Sequence, residues 1–150
     1  MTKHKRIDEN RLTANRKYKL ALTLLDSTQE MDDPATIQAI KFLKESIELL
    51  ENIAFDFGEE DMIASDYLLF AGANCGLARA YAKMSTGINP GDISFRLEMT
   101  TKYINSVASK SAEESTLRKE NSPHVSLSLL NTTPPPSDND GARNEPTLNI

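Results

Sequence analysis

The sequence predicts an all-α protein, built either as a four-helix bundle or as two stacked antiparallel helical hairpins, with a disordered C-terminal tail. Three observations lead to this prediction. Met62–Met84 is a long, mostly apolar segment with helical spacing, and residues 34–56 form a regular amphipathic repeat. Pro34 and Pro90 each follow a residue that can cap a helix, an arrangement that is typical of helix starts.

The N-terminal segment is strongly basic. Residues 1–19 hold seven Lys or Arg against two acidic residues, a net charge of +5, which leaves −10 for the rest of a chain whose net charge is −5. We interpret residues 1–12 as a basic flexible arm and predict a first helix over about 13–28. A basic arm suits nucleic acid or anionic lipid. This one lacks interleaved aromatic residues, so the sequence favours a solvated start, and we do not expect nucleic acid as a partner.

The second predicted helix covers residues 34–56. Apolar residues recur every three or four positions from Ile37 to Ala54, and Lys and Glu lie one turn apart on the opposite face. Asp33 can accept backbone N–H bonds as the N-cap, and Gly58 suits the C-terminal stop. This pattern indicates an amphipathic helix packed on one side.

The third predicted helix, residues 60–85, is apolar on nearly every side. A helix with so little polar surface is expected at the centre of the domain, with partners on several sides. Gly72, Gly76 and Ala80 recur every four residues and leave one stripe almost bare, where a neighbouring backbone can approach closely. Cys75 lies on an apolar face and is expected to pack in the core as a small hydrophobe.

The same segment is too short to span a membrane. Its unbroken apolar run is Tyr67–Ala73, against about 20 residues for a span, and Arg79 and Lys83 lie one turn apart near its end. We therefore predict no membrane span. Residues 1–16 carry no secretory signal and a single cysteine allows no internal disulfide, so a cytoplasmic location is expected, with secretion by a non-classical route left open.

The segment Leu77–Tyr81 resembles the first-helix signature of a tetratricopeptide repeat, in which Leu, a small residue and Tyr follow each other at this spacing. The resemblance covers five residues and implies a stacked pair of helices. The second-helix positions of the repeat do not follow at the required distance, because the loop from Ser85 to Asp92 is too long. We interpret the resemblance as shared geometry.

A fourth helix is predicted over residues 90–112, so that the helical domain covers residues 13–118. Residues 119–150 form a tail rich in Pro, Ser and Asn, which cannot build a core. A strand-like alternation within the tail has three interpretations: it docks on the bundle, it adds to the sheet edge of a partner, or it is plainly disordered. The residues of this candidate tail motif are Val125, Leu127, Leu129 and Leu130.

No familiar catalytic or metal-binding arrangement can be built from these residues. The two histidines, His4 and His124, allow neither a zinc-ligand spacing nor a His-based triad. No Glu-x-x-His pair and no phosphate-binding glycine loop is visible. We therefore predict that the chain is not an enzyme and uses no metal or cofactor. The enzymatic alternative is a pocket in which carboxylates act together with Arg79.

An acidic helical domain without such groups is typical of a protein-interaction module: an adaptor, a regulator or a small chaperone that binds another protein. We expect its site in a groove between helices or on an apolar patch. The alternative is a secreted or translocated, effector-type protein that acts on a host partner and uses its tail for delivery or docking. The sequence leaves the oligomeric state open. The candidate partner-binding residues are Phe42, Phe55, Phe57 and Phe95.

Overall fold

The computed structural model describes residues 2–121, with side chains described through residue 117. It confirms the all-α fold, since these residues form four long helices and no strand. A short 3₁₀ turn lies between the second and third helices. In chain order the elements are α1 Lys3–Ser27, α2 Pro34–Phe57, the 3₁₀ turn Glu59–Asp61, α3 Ala64–Tyr81 and α4 Pro90–Asn121.

The chain divides after Lys110 into two units, Met1–Lys110 and Ser111–Ile150. Helices α1 to α3 and residues 90–110 of α4 belong to the first unit. Of the second unit, the structure describes only the end of α4. The buried residues that it describes all lie in the first unit, between Ile7 and Tyr81.

Helices α1 and α2 run antiparallel and pack closely. The guanidinium of Arg6 lies over the ring of Phe57, and the hydroxyl of Ser46 donates a hydrogen bond of 2.8 Å to the carbonyl oxygen of Ala14. Residues near the start of α1 therefore meet residues near the end of α2. This arrangement is expected where a short loop joins two helices.

Helix α3 runs parallel to α1. Near the start of both helices Arg11 pairs with Asp66 at 2.8 Å, and near their ends Arg79 pairs with Asp26 at 2.9 Å. Because α2 lies antiparallel to α1, α3 is also antiparallel to α2. The core lies between these three helices, where the largest fully buried side chains include those of Leu25, Leu43 and Leu77.

Helix α4 runs antiparallel to α3. The guanidinium of Arg96 donates to the side-chain oxygen of Asn74 at 3.0 Å, and the ring of Tyr103 stacks on that of Phe70. None of residues 90–117 is buried. Within the first unit, α4 packs on the three-helix core through partly buried side chains that include those of Ile93 and Tyr103. The first unit is thus an up-down-up-down arrangement of helices.

The N-terminal segment is helical, which corrects the prediction that residues 1–12 form a flexible arm. Helix α1 begins at Lys3, directly after the N-cap Thr2. The side chain of Ile7 is only 3% exposed, and the ammonium of Lys3 lies 2.8 Å from the carboxylate of Asp61. Local composition does not reveal these contacts, because they join residues that are far apart in the sequence.

The stripe of small residues on α3 is closely packed, as the sequence predicts. A Cβ atom added at Gly76 would lie 3.2 Å from a methyl group of Leu43, and one added at Gly72 would lie 2.6 Å from the hydroxyl oxygen of Tyr18. Side chains of α2 and α1, rather than their backbones, therefore fill the stripe.

One face of α3 remains open, which corrects the expectation that neighbours surround this helix. Leu68 is 60% exposed, and the thiol-bearing residue Cys75, two turns later, is also exposed. The prediction of a core cysteine is therefore wrong. Helix α3 itself spans Ala64–Tyr81 rather than residues 60–85, because the chain first makes the 3₁₀ turn.

Helix α4 extends to Asn121, beyond its predicted end at residue 112. The added residues include Leu, Glu, Arg and Lys, which are favourable in helices. Among the described residues, no helix is both long and apolar enough to cross a membrane.

Candidate functional site

A cleft of about 560 Å³ opens between α2, the 3₁₀ turn, α3 and α4, within the first unit. It lies where α2 ends at Gly58, whose φ of 108° favours glycine and directs the chain away from the helix axis. The turn then returns the chain to Met62, which is buried beside the cleft.

The floor of the cleft is a stack of three aromatic rings. The rings of Phe70 and Tyr103 lie 4.4 Å apart and nearly parallel, at 10°. The ring of Tyr67 lies 6.2 Å from that of Tyr103 and 6.3 Å from that of Phe70. Such offset contacts add about 0.5–1.5 kcal/mol per pair to the burial of the rings, so the stack helps to hold α4 against α3.

The hydroxyl of Tyr103 is difficult to ionise in this setting. Burial raises its pKa above the ordinary value for tyrosine, and the negative charges of Glu51 and Glu59 raise that pKa further. Because these carboxylates act on the phenol, their negative field reaches into the cleft.

The mouth of the cleft combines one exposed aromatic ring with charged groups. Phe55 on α2 is 90% exposed, an unusual state for so large an apolar side chain. Glu51 lies one helical turn before Phe55, and Glu59 lies in the 3₁₀ turn that follows. On the α4 side, the ammonium of Lys102 lies 5.6 Å from the centre of the Tyr103 ring.

A network between α1 and α3 fixes the start of α3 behind this cleft. The carboxylate of Asp66 accepts hydrogen bonds of 2.8 to 3.0 Å from the guanidinium of Arg11 and from the backbone N–H of Ile63. Arg11 also donates to the carbonyl oxygen of Asp61 at 2.7 Å. Its bond to Asp66 raises the pKa of Arg11, so the guanidinium keeps its positive charge. The next residue, Tyr67, is thereby placed in the aromatic stack.

The four phenylalanines predicted as partner-binding residues lie in different surroundings. Phe55 lines the cleft, and the other three are not among its lining residues. Phe42 and Phe57 pack against the core, where the Lys17 ammonium lies 5.5 Å from the first ring and the Arg6 guanidinium 5.3 Å from the second. Phe95 is half exposed on α4, with the guanidinium of Arg96 5.3 Å from its ring centre. The candidate tail motif Val125, Leu127, Leu129 and Leu130 lies outside the described residues.

Three residues of this site are not predicted as site residues from the sequence: Tyr67, Phe70 and Tyr103. Each belongs to an apolar part of a predicted helix, but nothing in the sequence aligns α3 with α4. For the acidic part of the cleft one signal was available, since Glu51, Phe55 and Glu59 follow each other at four-residue steps in the sequence.

A second groove, of about 530 Å³, lies between α1, α3 and α4. Its wall is mostly apolar and includes Leu68, Ile104 and the exposed Cys75. Tyr18 lies at its α1 side, where burial raises the pKa of the hydroxyl. This groove explains why one face of α3 remains open.

No group of three or more His, Cys, Asp or Glu side chains among the described residues is placed to hold a metal ion. Comparisons with known protein families, with curated proteins and with solved structures find no match for this chain.

Proposed function

We propose that this chain is a helical protein-interaction module. It binds another protein through the cleft whose mouth carries Phe55. The exposure of Phe55, at 90%, is the observation that supports the proposal most directly. A ring that contributes almost nothing to the core of its own chain is available to be buried by a partner, and buried aromatic anchors dominate binding energy at interfaces.

The shape and composition of the cleft also support a binding role. Its aromatic floor is rigid because Phe70 is buried and stacked, and a rigid apolar surface loses little conformational entropy when it binds. Glu51 and Glu59 are exposed to solvent, whereas a general acid or base usually acts from a partly desolvated position. The chain is accordingly proposed to act by binding rather than by catalysis. Its proposed location is the cytoplasm.

Nucleic acid is not proposed as the partner. The basic residues of α1 include Lys3, Arg11 and Lys17, which pair with carboxylates of the same chain. Paired cations attract a polyanion less, and residues 20–150 carry a net charge of −10, which repels it.

The proposal is tested by photo-crosslinking in cells that naturally contain the chain. A photoreactive phenylalanine analogue is placed at position 55, and at position 38 in a matched control, since Gln38 is also exposed on α2. We expect a discrete crosslinked protein from position 55 that is absent from position 38. Identical patterns from the two positions would contradict the proposal.

The loss-of-binding test compares Phe55→Ser with Leu68→Ser. Both side chains are exposed, so both variants should keep the stability of the parent within about 0.5 kcal/mol. Only Phe55→Ser should lose the crosslinked partner in a pull-down. Loss of the partner in Leu68→Ser alone would assign the binding site to the second groove instead.

A further inference from the structure

The phenylalanines of this chain differ in what covers their rings. Phe42, Phe57 and Phe95 each have a Lys or Arg side chain of the same chain over the ring. Phe70 is buried against Tyr103. Phe55 is exposed, and within the described residues no cation lies over its ring.

The surroundings of Phe55 are strongly acidic. Residues 45–61 hold seven carboxylates and neither lysine nor arginine. Two of the seven pair with lysines of α1. Glu51 and Glu59, which line the cleft, form no ion pair within the part of the chain that the structure describes. The ion pairs with α1 therefore do not neutralise the carboxylates of Glu51 and Glu59 that line the cleft with Phe55.

The one basic residue among those lining the cleft is Lys102, on the α4 side. Its ammonium lies over the ring of Tyr103, at 5.6 Å from the ring centre, and so contacts the aromatic floor rather than Phe55. The part of the cleft formed by α2 and the 3₁₀ turn thus presents the ring of Phe55 together with two carboxylates, those of Glu51 and Glu59. This combination attracts a cation in two ways, through the ring quadrupole and through the carboxylates.

We infer that the cleft binds a segment of another protein that carries Lys or Arg, with the cationic side chain over the ring of Phe55 between the carboxylates of Glu51 and Glu59. The inference rests on the proposed function and adds the chemistry of the partner to it. An apolar neighbour in the same segment would cover the exposed parts of the aromatic floor, since a cleft of about 560 Å³ holds more than one side chain.

The chemistry of the segments that bind the cleft is tested by selecting peptides that bind the folded full-length chain. A random peptide library displayed on yeast is sorted for binding to the wild-type chain and counter-sorted against Phe55→Ser. The expected result is a set of Phe55-dependent peptides enriched in Lys or Arg. Their affinity should decrease as salt concentration rises, because charge attraction at an exposed cleft is screened.

Two double variants separate the local charges from the general acidity of the chain. Glu51→Gln with Glu59→Gln removes both carboxylates of the cleft, and we expect the selected peptides to bind about tenfold more weakly. Glu48→Gln with Glu60→Gln makes the same change in net charge at exposed positions that do not line the cleft, and binding should remain within about twofold. The circular dichroism melt of each variant checks that it folds.

Every other outcome contradicts either the inference of a partner segment with Lys or Arg or the proposed function itself. Phe55-dependent peptides without Lys or Arg, or equal affinity for the two double variants, would overturn the inference and leave the proposed function standing. Peptides that match residues 125–130 would assign the cleft to the tail of the chain, and a Phe55-dependent dimer in sedimentation would assign it to a second copy. Selection of no Phe55-dependent peptide would overturn the proposed function as well.

Discussion

Asp66 joins three parts of the first unit through one carboxylate. Its side chain is 3% exposed and accepts hydrogen bonds from Arg11 of α1 and from the backbone of Ile63 before α3. A buried acceptor of this kind is costly to replace, because its donors lose their partner and have little water to turn to.

We predict that Asp66→Asn lowers the free energy of unfolding by about 2–3 kcal/mol, because the amide cannot satisfy the guanidinium of Arg11. The matched control is Asp26→Asn, which breaks the exposed pair with Arg79 and should cost less than about 1 kcal/mol. Urea unfolding at neutral pH measures both values. Equal midpoints for the two variants would show that the Asp66 network does not stabilise the fold.

Tyr103 makes the stability of the protein sensitive to alkaline pH. Burial raises the pKa of its hydroxyl in the folded state, so the native protein holds this proton more tightly than the unfolded chain does. The stabilisation is complete below the unfolded pKa of about 10 and is lost as pH rises through the higher folded pKa.

We therefore expect the free energy of unfolding to fall from about pH 9 to about pH 11, and to fall less in Tyr103→Phe. Burial also raises the pKa of Tyr18, so Tyr18→Phe should act in the same direction and the double variant should show the weakest dependence. Urea unfolding across this range provides the measurement. If the free energy of unfolding of Tyr103→Phe decreases with pH as steeply as that of the wild type, Tyr103 is not the cause of the pH dependence.

At the scale of the element, the contact between α3 and α2 depends on the absence of a side chain at Gly76. A Cβ atom there already comes within 3.2 Å of Leu43, so a leucine would force the two helices apart. We predict that Gly76→Leu destabilises by about 1–3 kcal/mol or more through overpacking.

The control for Gly76→Leu is Lys44→Leu, on the exposed face of α2, which should change stability by less than about 0.5 kcal/mol. Thermal or urea unfolding compares the two. If both variants unfold at the same midpoint, α3 does not pack on α2 along this stripe.

The first turns of α1 also stabilise the fold through contacts with residues that are distant in the sequence. We predict that Ile7→Ala costs about 2–4 kcal/mol, because the side chain is fully buried in the core. Neutralising Lys3, Lys5 and Arg6 together should cost less, about 1 kcal/mol, because these side chains are exposed to solvent. An Ile7→Ala variant as stable as the wild type would restore the flexible-arm interpretation.

At the scale of the whole molecule, the described core is confined to the first unit, between Ile7 and Tyr81. We predict that deletion of residues 122–150 leaves the melting temperature within a few degrees of the full chain, because that segment has no periodic apolar face to bury. Deletion of residues 2–10, which removes Ile7, should lower it clearly. Calorimetry compares the two, and a large decrease on removal of the tail would contradict the prediction.

The sequence alone determined the helices and their order. Capping residues and periodic apolar positions act within a few residues. They predict the start of α2 at Pro34, the start of α4 at Pro90 and the burial of most, but not all, of α3. The close packing at Gly72 and Gly76 was also predicted, because a bare stripe on a buried helix must be filled by a neighbour.

Only the tertiary structure decided which residues meet. The helical start of α1 depends on ion pairs and burial across more than fifty positions of sequence, and the open face at Cys75 depends on where α1 and α4 lie. The cleft has the same origin: Phe55 comes from α2, Phe70 from α3 and Tyr103 from α4. Periodicity specifies which side of a helix is buried. It does not specify the rotation and register at which two helices pack, and these set which rings stack and which ring stays exposed.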